Sequence, residues 1–133
     1  MGITDAQGLP IGLCLESASR HEIKLVEKTI ESVYAPFLSP KLIGDKAYDS
    51  DSVDPVIEEK YGIELIAPHK KNRRAPATQD GRKLRRYKKR WKVERCFAWI
   101  QNYRKLVTRY ERKAENFLGM IKLAAILILI KYL

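Results

Sequence analysis

The chain has 133 residues, 45% of them hydrophobic and 32% charged, which suffices for one domain with a packed core and excludes disorder by composition. Its net charge of +10 is unevenly placed: between His69 and Lys113 stand 18 Lys and Arg against three acids, a local +15 that leaves −5 for the remainder. Solubility alone does not call for so lopsided a distribution, and it points to a polyanionic partner.

In chain order, MGITDAQGLP has neither the basic n-region nor the apolar h-region of a secretory signal, and the Asp5 and Ala6 that follow its MG do not give the serine or threonine expected of a myristoylation signal. DAQGLP is a turn, with Asp5 in the turn-forming pattern Asp-x-x-Gly, and IGLCLES after it is an apolar run of strand length, so the two read as the second half of a hairpin. Ser19 caps a helix expected from about Arg20 to Tyr34, with Ile23, Val26, Ile30 and Val33 facing inward and Pro36 as its stop. KLIGD is a short strand that delivers Asp45 at its carboxyl end, where open α/β sheets gather functional groups.

Asp49, Ser50 and Asp51 offer an N-cap and acidic first turn to a short helix from about Ser52 to Tyr61, closed by Gly62. A calcium loop does not fit, because neither its glycine nor its closing glutamate falls at the required step after Asp49. A strand follows at Ile63 to Ala67, then a basic loop over about 68–84, a helix over about 85–110 and a last helix over about 115–133. That last helix is apolar on nearly every side but holds Lys122 and Lys131 and is short for a membrane span, so it is expected to be buried in the core. Strands alternating with helices predict an α/β fold with a mainly parallel sheet. Cys14 and Cys96 lack metal-ligand spacing and read as small buried hydrophobes in a reducing compartment.

The helix over 85–110 carries one acid near its middle, Glu94, in a field of Lys and Arg. At 100° per residue Tyr87, Arg90 and Gln101 fall within about 40° of Glu94, while Val93, Cys96, Ile100, Tyr103 and Val107 form an apolar stripe on the far side. Taken alone, Glu94 is equally a surface salt-bridge partner of Arg90 or Lys92. Trp91, Phe97 and Trp99 fit either core packing or a platform for stacking on bases. Asp45 is the second acid without an obvious local duty. Carboxylates from separate elements can converge on Mg²⁺, and two such ions about 4 Å apart serve in-line phosphoryl transfer.

GDKAYDSD with RYKKRWKVERCFAWI resembles the DDE transposases of bacterial insertion sequences, of the related IS4 and IS5 groups, over nearly the whole chain. The family signature spaces Tyr, two residues, Arg, three residues, Glu, six residues, Lys, and Tyr87, Arg90 and Glu94 stand at those steps. The resemblance implies a ribonuclease H-like fold, a mixed sheet flanked by helices. It makes Asp45 and Glu94 the second and third catalytic, metal-binding acids, with two Mg²⁺ ions (Mn²⁺ as substitute) expected in the complete site. It further implies double-stranded DNA with terminal inverted repeats as partner, with Tyr87, Arg90, Lys105, Arg86 and Lys89 as DNA-binding residues. A cytoplasmic location follows, with no membrane partner, and a homodimer is compatible.

Two departures qualify it. Gln101 stands at the lysine position of the signature, with Lys105 one helical turn further as a substitute. The first acid of the triad belongs on a first strand upstream of the hairpin, and that strand is missing here. In the family order 3-2-1-4-5 it lies between strands 2 and 4. Asp5 falls at the opposite end of the sheet and reads as a turn residue. The chain is therefore expected to be the C-terminal portion of a transposase, either a second reading frame that needs an upstream segment or a decayed remnant, and inactive alone. The rival is a catalytically inactive fragment that binds DNA or inhibits intact transposase. A tyrosine recombinase is disfavoured, because neither His21 nor His69 stands at the usual step from an arginine, and both read as helix-terminus or loop residues.

Overall fold

The computed structural model describes residues 1–17, 22–34, 39–74, 76 and 83–132. The chain divides into two compact units, the first comprising Met1–His21, Leu25–Ala35 and Trp91–Leu133, the second Glu22–Lys24 and Pro36–Arg90.

In the first unit β1 (Gly2–Thr4) and β2 (Pro10–Leu13) form an antiparallel hairpin, so both of its halves are present. Its turn is built as the residues suggest: Asp5 Oδ1 accepts from the N–H groups of Gln7 and Leu9, each at 2.8 Å, and Gly8 takes φ 91°. The predicted long helix is shorter than expected. A 3₁₀ turn at Glu22–Leu25 leads into α1 (Val26–Glu31), which ends because Val33 bridges to Gly12 of the hairpin. A Cβ on Gly12 would come within 2.8 Å of Val33 Cγ2, so only glycine admits that approach. The Ser19 cap and the Pro36 stop lie outside the described residues.

The second unit contains β3 (Lys41–Ile43), α2 (Asp54–Tyr61) and β4 (Glu64–Ile66). The two strands are parallel, with Leu42 opposite Leu65 and Ile43 opposite Ile66. Ile57 of α2 is fully buried and Ile63, Leu65, Ile66 and Ala67 are nearly so, which makes a small core under the strand pair. Gly62 closes α2 in the left-handed conformation, φ 65°, and its N–H donates to Glu58 O, as a helix-terminal glycine should.

The stretch expected as one helix over 85–110 is divided. Lys83–Lys89 is 3₁₀, α3 runs from Trp91 to Gln101, and α4 is the single turn Arg104–Val107 after an extended Tyr103. The common face argued at 100° per residue therefore holds only within α3, since a 3₁₀ segment advances about 120° per residue. Cys96 and Ile100 of the predicted stripe are buried, whereas Val107, beyond the break, is 66% exposed.

α5 (Ala114–Tyr132) matches its prediction in extent but is not buried on all sides. Ala125 and Ile128 join Leu13, Cys96 and Ile100 in the core of the first unit and Ala124 is buried, while Leu123, Ile126, Leu127 and Ile130 are exposed. Among the described residues β2, α3 and α4 pack against it. Among the described residues no helix is long and apolar enough to cross a membrane. The expected sheet appears as two separate two-stranded pairs, one antiparallel and one parallel.

The two left-handed glycines give a comparison. Gly62 has open space where a Cβ would go, so Gly62→Ala should cost about 1 kcal/mol from backbone strain alone. Gly8→Ala adds contacts of 3.0–3.2 Å with Arg95 and Lys92 and should cost more than Gly62→Ala in urea unfolding.

Candidate functional site

β3 ends at Ile43, and Gly44 N–H donates to Ile66 O at 2.9 Å, which ties the following turn to the neighbouring strand. Asp45 comes next. It is exposed and caps the 3₁₀ turn Lys46–Tyr48, its Oδ1 accepting from Ala47 N–H at 2.7 Å. The acid predicted at the carboxyl end of a strand is thus found there, on the parallel pair.

The next acids do not act as predicted. No side chain caps α2, whose N-cap position is Val53, and Asp49 instead turns toward the loop after β4. One oxygen of Asp49 faces His69 Nδ1 and accepts from Arg73, both at 2.9 Å; the other accepts from Lys70 N–H at 2.8 Å. The second arm of the Arg73 guanidinium reaches Asp51 at 2.5 Å. The Asp49 side chain is only 5% exposed. Burial by itself would push its carboxyl up, but the Lys70 N–H, the His69 contact and the Arg73 charge outweigh that and hold it below the usual carboxylate range. Sequence reading missed this network, although the acidic run 49–54 and the run HKKNRR were both visible.

Asp54 carries the opposite shift. Burial, then the negative charges of Asp49 and Asp51, push its carboxyl up to about 6, and its Oδ1 is buried without a hydrogen-bond partner among the described residues.

The basic 3₁₀ segment presents Arg85, Arg86, Lys88 and Lys89 exposed, with Tyr87 half-buried. The Arg90 guanidinium lies 5.7 Å from the centre of the Tyr87 ring, so these two signature residues are brought together. Asp45, Arg86, Tyr87, Lys89 and Arg90 all belong to the second unit; Glu94, Gln101 and Lys105 belong to the first. Glu94 is exposed in the first turn of α3. Gln101 is the last residue of α3, and the break at Asn102–Tyr103 ends the register that would have set Lys105 one turn beyond it on the same face. Lys105 and Arg104 instead line an open groove of about 380 Å³ between α4 and α5.

Neighbours of Glu94 on α3 hold the helix to the hairpin. Lys92 Nζ donates to Ala6 O and an Arg95 guanidinium nitrogen to Gln7 O at 2.6 Å. Arg95 also lies over Trp91 (4.9 Å) and Trp99 (4.5 Å), and Trp99 stacks on Tyr132 at 5.0 Å. Trp99 is therefore a packing residue, while Trp91 is 48% exposed and Phe97 38%. Cys14 and Cys96 are buried free thiols, and burial pushes the Cys96 thiol up to about 11, as the sequence reading of inert core cysteines requires.

Three comparisons bear on these residues. The family described as "Transposase DDE domain" matches residues 1–129. A protein of Burkholderia cepacia named as the putative transposase for insertion sequence element IS402 is 28% identical over 134 residues, covering 95% of this chain. The chain spans 59% of that relative's length. No solved structure matches.

The raised carboxyl of Asp54 yields a pH test. Its folded-state affinity for a proton exceeds that of the unfolded chain, so stability falls as pH rises from about 4 through 6 and is level above. After discounting for solvent screening, Asp54→Asn should stabilise at pH 7.5 by about 1 kcal/mol, raising Tm by roughly 3 °C, with the gain vanishing below about pH 4. Thermal melts of both proteins across that range check it.

Proposed function

This chain belongs to the transposase DDE-domain family, and from that premise we propose that it carries the second and third acids, Asp45 and Glu94, of a site that cuts and joins DNA at the ends of an insertion sequence. The observation that carries the reading is the setting of Asp45, an exposed carboxylate held by a backbone N–H at the carboxyl end of a parallel strand. Carboxylate oxygens are the donors that hard ions such as Mg²⁺ take, with Mn²⁺ as substitute, and both acids are exposed enough to serve. Among the described residues no three acidic, histidine or cysteine side chains group closely enough to hold an ion. A bound divalent ion supplies charge neutralisation at the scissile phosphate.

The chain's own residues do the positioning. Exposed Arg86 and Lys89 supply phosphate contacts along the DNA backbone, Tyr87 braces the Arg90 guanidinium, and the Lys105 ammonium offers a further phosphate contact. The nucleophile is water for nicking and a DNA 3′-hydroxyl for joining; in each case a new phosphorus–oxygen bond forms as the bridging one breaks.

The remaining acid comes, on this reading, from a first strand of a ribonuclease H-like sheet encoded outside these residues. Both strand pairs have an edge to offer such a strand, and the curated relative is longer than this chain by the proportion given above. The same observations favour one alternative, a fragment that occupies transposon ends or poisons intact transposase without cutting.

The test compares binding and metal-dependent nicking of terminal inverted repeats by the chain alone and by the chain with an upstream transposase segment restored. The chain alone should bind but not nick, with affinity falling about a thousandfold between 50 and 200 mM salt if six or more phosphates are contacted. The restored protein should nick, and Asp45→Asn or Glu94→Gln should reduce nicking by more than about a hundredfold, the loss already typical of residues that merely support a ligand, while binding is kept. Robust nicking by the chain alone would sink the incompleteness, persistent nicking after either substitution would sink the site, and a flat salt response would remove nucleic acid altogether.

A further inference from the structure

We infer that Asp49, clasped by Arg73, His69 and Lys70, is the positioning residue of the Asp45 turn: it fixes the far end of the short segment whose near end is fixed by β3. The inference rests on the reading of Asp45 as a metal ligand only for its consequence, not for its geometry.

The segment from Gly44 to Asp49 has little to stabilise it from within. Its 3₁₀ turn spans three residues, closed by the Tyr48 N–H to Asp45 O bond at 3.1 Å and a longer one from Asp49 N–H to Lys46 O at 3.4 Å. Such short turns have poor hydrogen-bond geometry and persist where their surroundings hold them. Asp45 itself is exposed, so it contributes no burial. Two outside anchors do the holding. At the near end Gly44 is bonded to Ile66 O, and Tyr48 lies against it so closely that a Cβ on Gly44 would come within 2.9 Å of Tyr48 Cδ2. At the far end the nearly buried carboxylate of Asp49 accepts from Lys70 N–H and Arg73 and meets His69, and Lys70 Nζ reaches the Asp49 carbonyl at 3.3 Å. Arg73 is itself held by Asp51 and by Pro76 O.

Asp45 and Asp49 thus have different duties within GDKAYD. One is presented to solvent; the other is withdrawn so that the first has a fixed direction. Groups that support a metal ligand from behind typically change metal affinity by about 10–100-fold when removed. A purely structural role for Asp49 would loosen the loop at His69–Arg73 without reaching the Ala47 N–H, which is bonded to Asp45 and not to the clasp.

Amide hydrogen exchange by NMR on the whole chain separates the two. The Ala47 N–H, bonded to Asp45, reports the turn, and the Ile57 N–H, bonded to Val53 O in the core helix, reports the fold. In Asp49→Asn and in Arg73→Gln, exchange at Ala47 should accelerate about tenfold while Ile57 stays within about twofold; Asp51→Asn, which removes the same charge but leaves every donor on Asp49, should change Ala47 by about twofold. If Asp49→Asn lost protection at Ile57 as well, Arg73→Gln, which leaves Asp49 its other partners, carries the comparison. Unchanged exchange at Ala47, or equal acceleration in Asp51→Asn, overturns the positioning role. Titration of the same samples with Mn²⁺ decides the metal reading separately. Paramagnetic broadening of the Gly44–Tyr48 amides should vanish in Asp45→Asn and need about tenfold more Mn²⁺ in Asp49→Asn. Broadening that is absent or independent of Asp45 retires Asp45 as a ligand, and the exchange result still decides Asp49.

Discussion

A pair of strands is at best marginally stable in water, and each sheet among the described residues is one pair. That constraint shapes both units. In the first, the hairpin is completed from outside by α3, whose Lys92 and Arg95 reach the turn carbonyls of Ala6 and Gln7, while Leu13 on the other end of the hairpin enters the core with Cys96, Ile100 and Ile128. In the second, α2 buries Ile57 against the parallel pair, and the Asp49 clasp ties together the two loops that leave it. Neither pair is held by its ladder alone. Side chains from helices and loops supply the remaining constraint.

This use of side chains changes what the positive charge means. A local +15 between His69 and Lys113 reads as a footprint for a polyanion, yet several of those cations have protein partners. Arg73 bridges Asp49 and Asp51, Lys92 and Arg95 hold the hairpin turn, and Arg109 donates to the carbonyls of Glu111 and Arg112 while its guanidinium lies over Phe117. Charge counting alone overstates the surface offered to phosphate. The exposed series Arg85, Arg86, Lys88 and Lys89 is a narrower candidate, and its 3₁₀ geometry sets Arg85 in line with Lys88 and Arg86 in line with Lys89, in two rows about 120° apart.

Most of the local structure was legible in the residues. Asp5 and Gly8 in the turn, Leu42 and Ile43 before Asp45, Gly62 after α2 and the extent of α5 all followed from turn chemistry, capping and periodicity. What periodicity could not show was where a helical run would stop being α-helical. Arg85 to Tyr110 contains no Gly or Pro, and the breaks at Arg90 and at Asn102–Tyr103 have no such marker. The apolar content of α5 was equally misleading: composition says that a face wants burial, not that neighbours exist to bury it. The Asp49 network was missed for a different reason, since Asp49, Ser50 and Asp51 before a helix look like capping residues. Topology offered the missing signal. Neighbouring parallel strands release their following loops at the same end, so the loop after β3 and the loop after β4 are adjacent by construction, one acidic and one basic.

The same adjacency explains why a short motif can place an exposed acid accurately. In the role proposed for Asp45, an acid that meets an ion and a phosphate cannot be anchored by burial, because burial would raise its pKa and exclude the substrate. Its own backbone must be fixed instead, and a three-residue 3₁₀ turn lacks the bonds to do that alone. Stabilisation is therefore displaced four residues along the chain, to Asp49, where a carboxylate can be withdrawn from solvent and satisfied by a backbone N–H and a guanidinium. Burial without such partners is costly, as Asp54 shows three positions after Asp51, with its carboxyl pushed up to about 6 in the same acidic run. Whether an acid here is lowered, raised or left exposed depends on which donors the opposing loop brings to it. The basic loop is thus part of the architecture of the Asp45 turn as well as a source of positive charge.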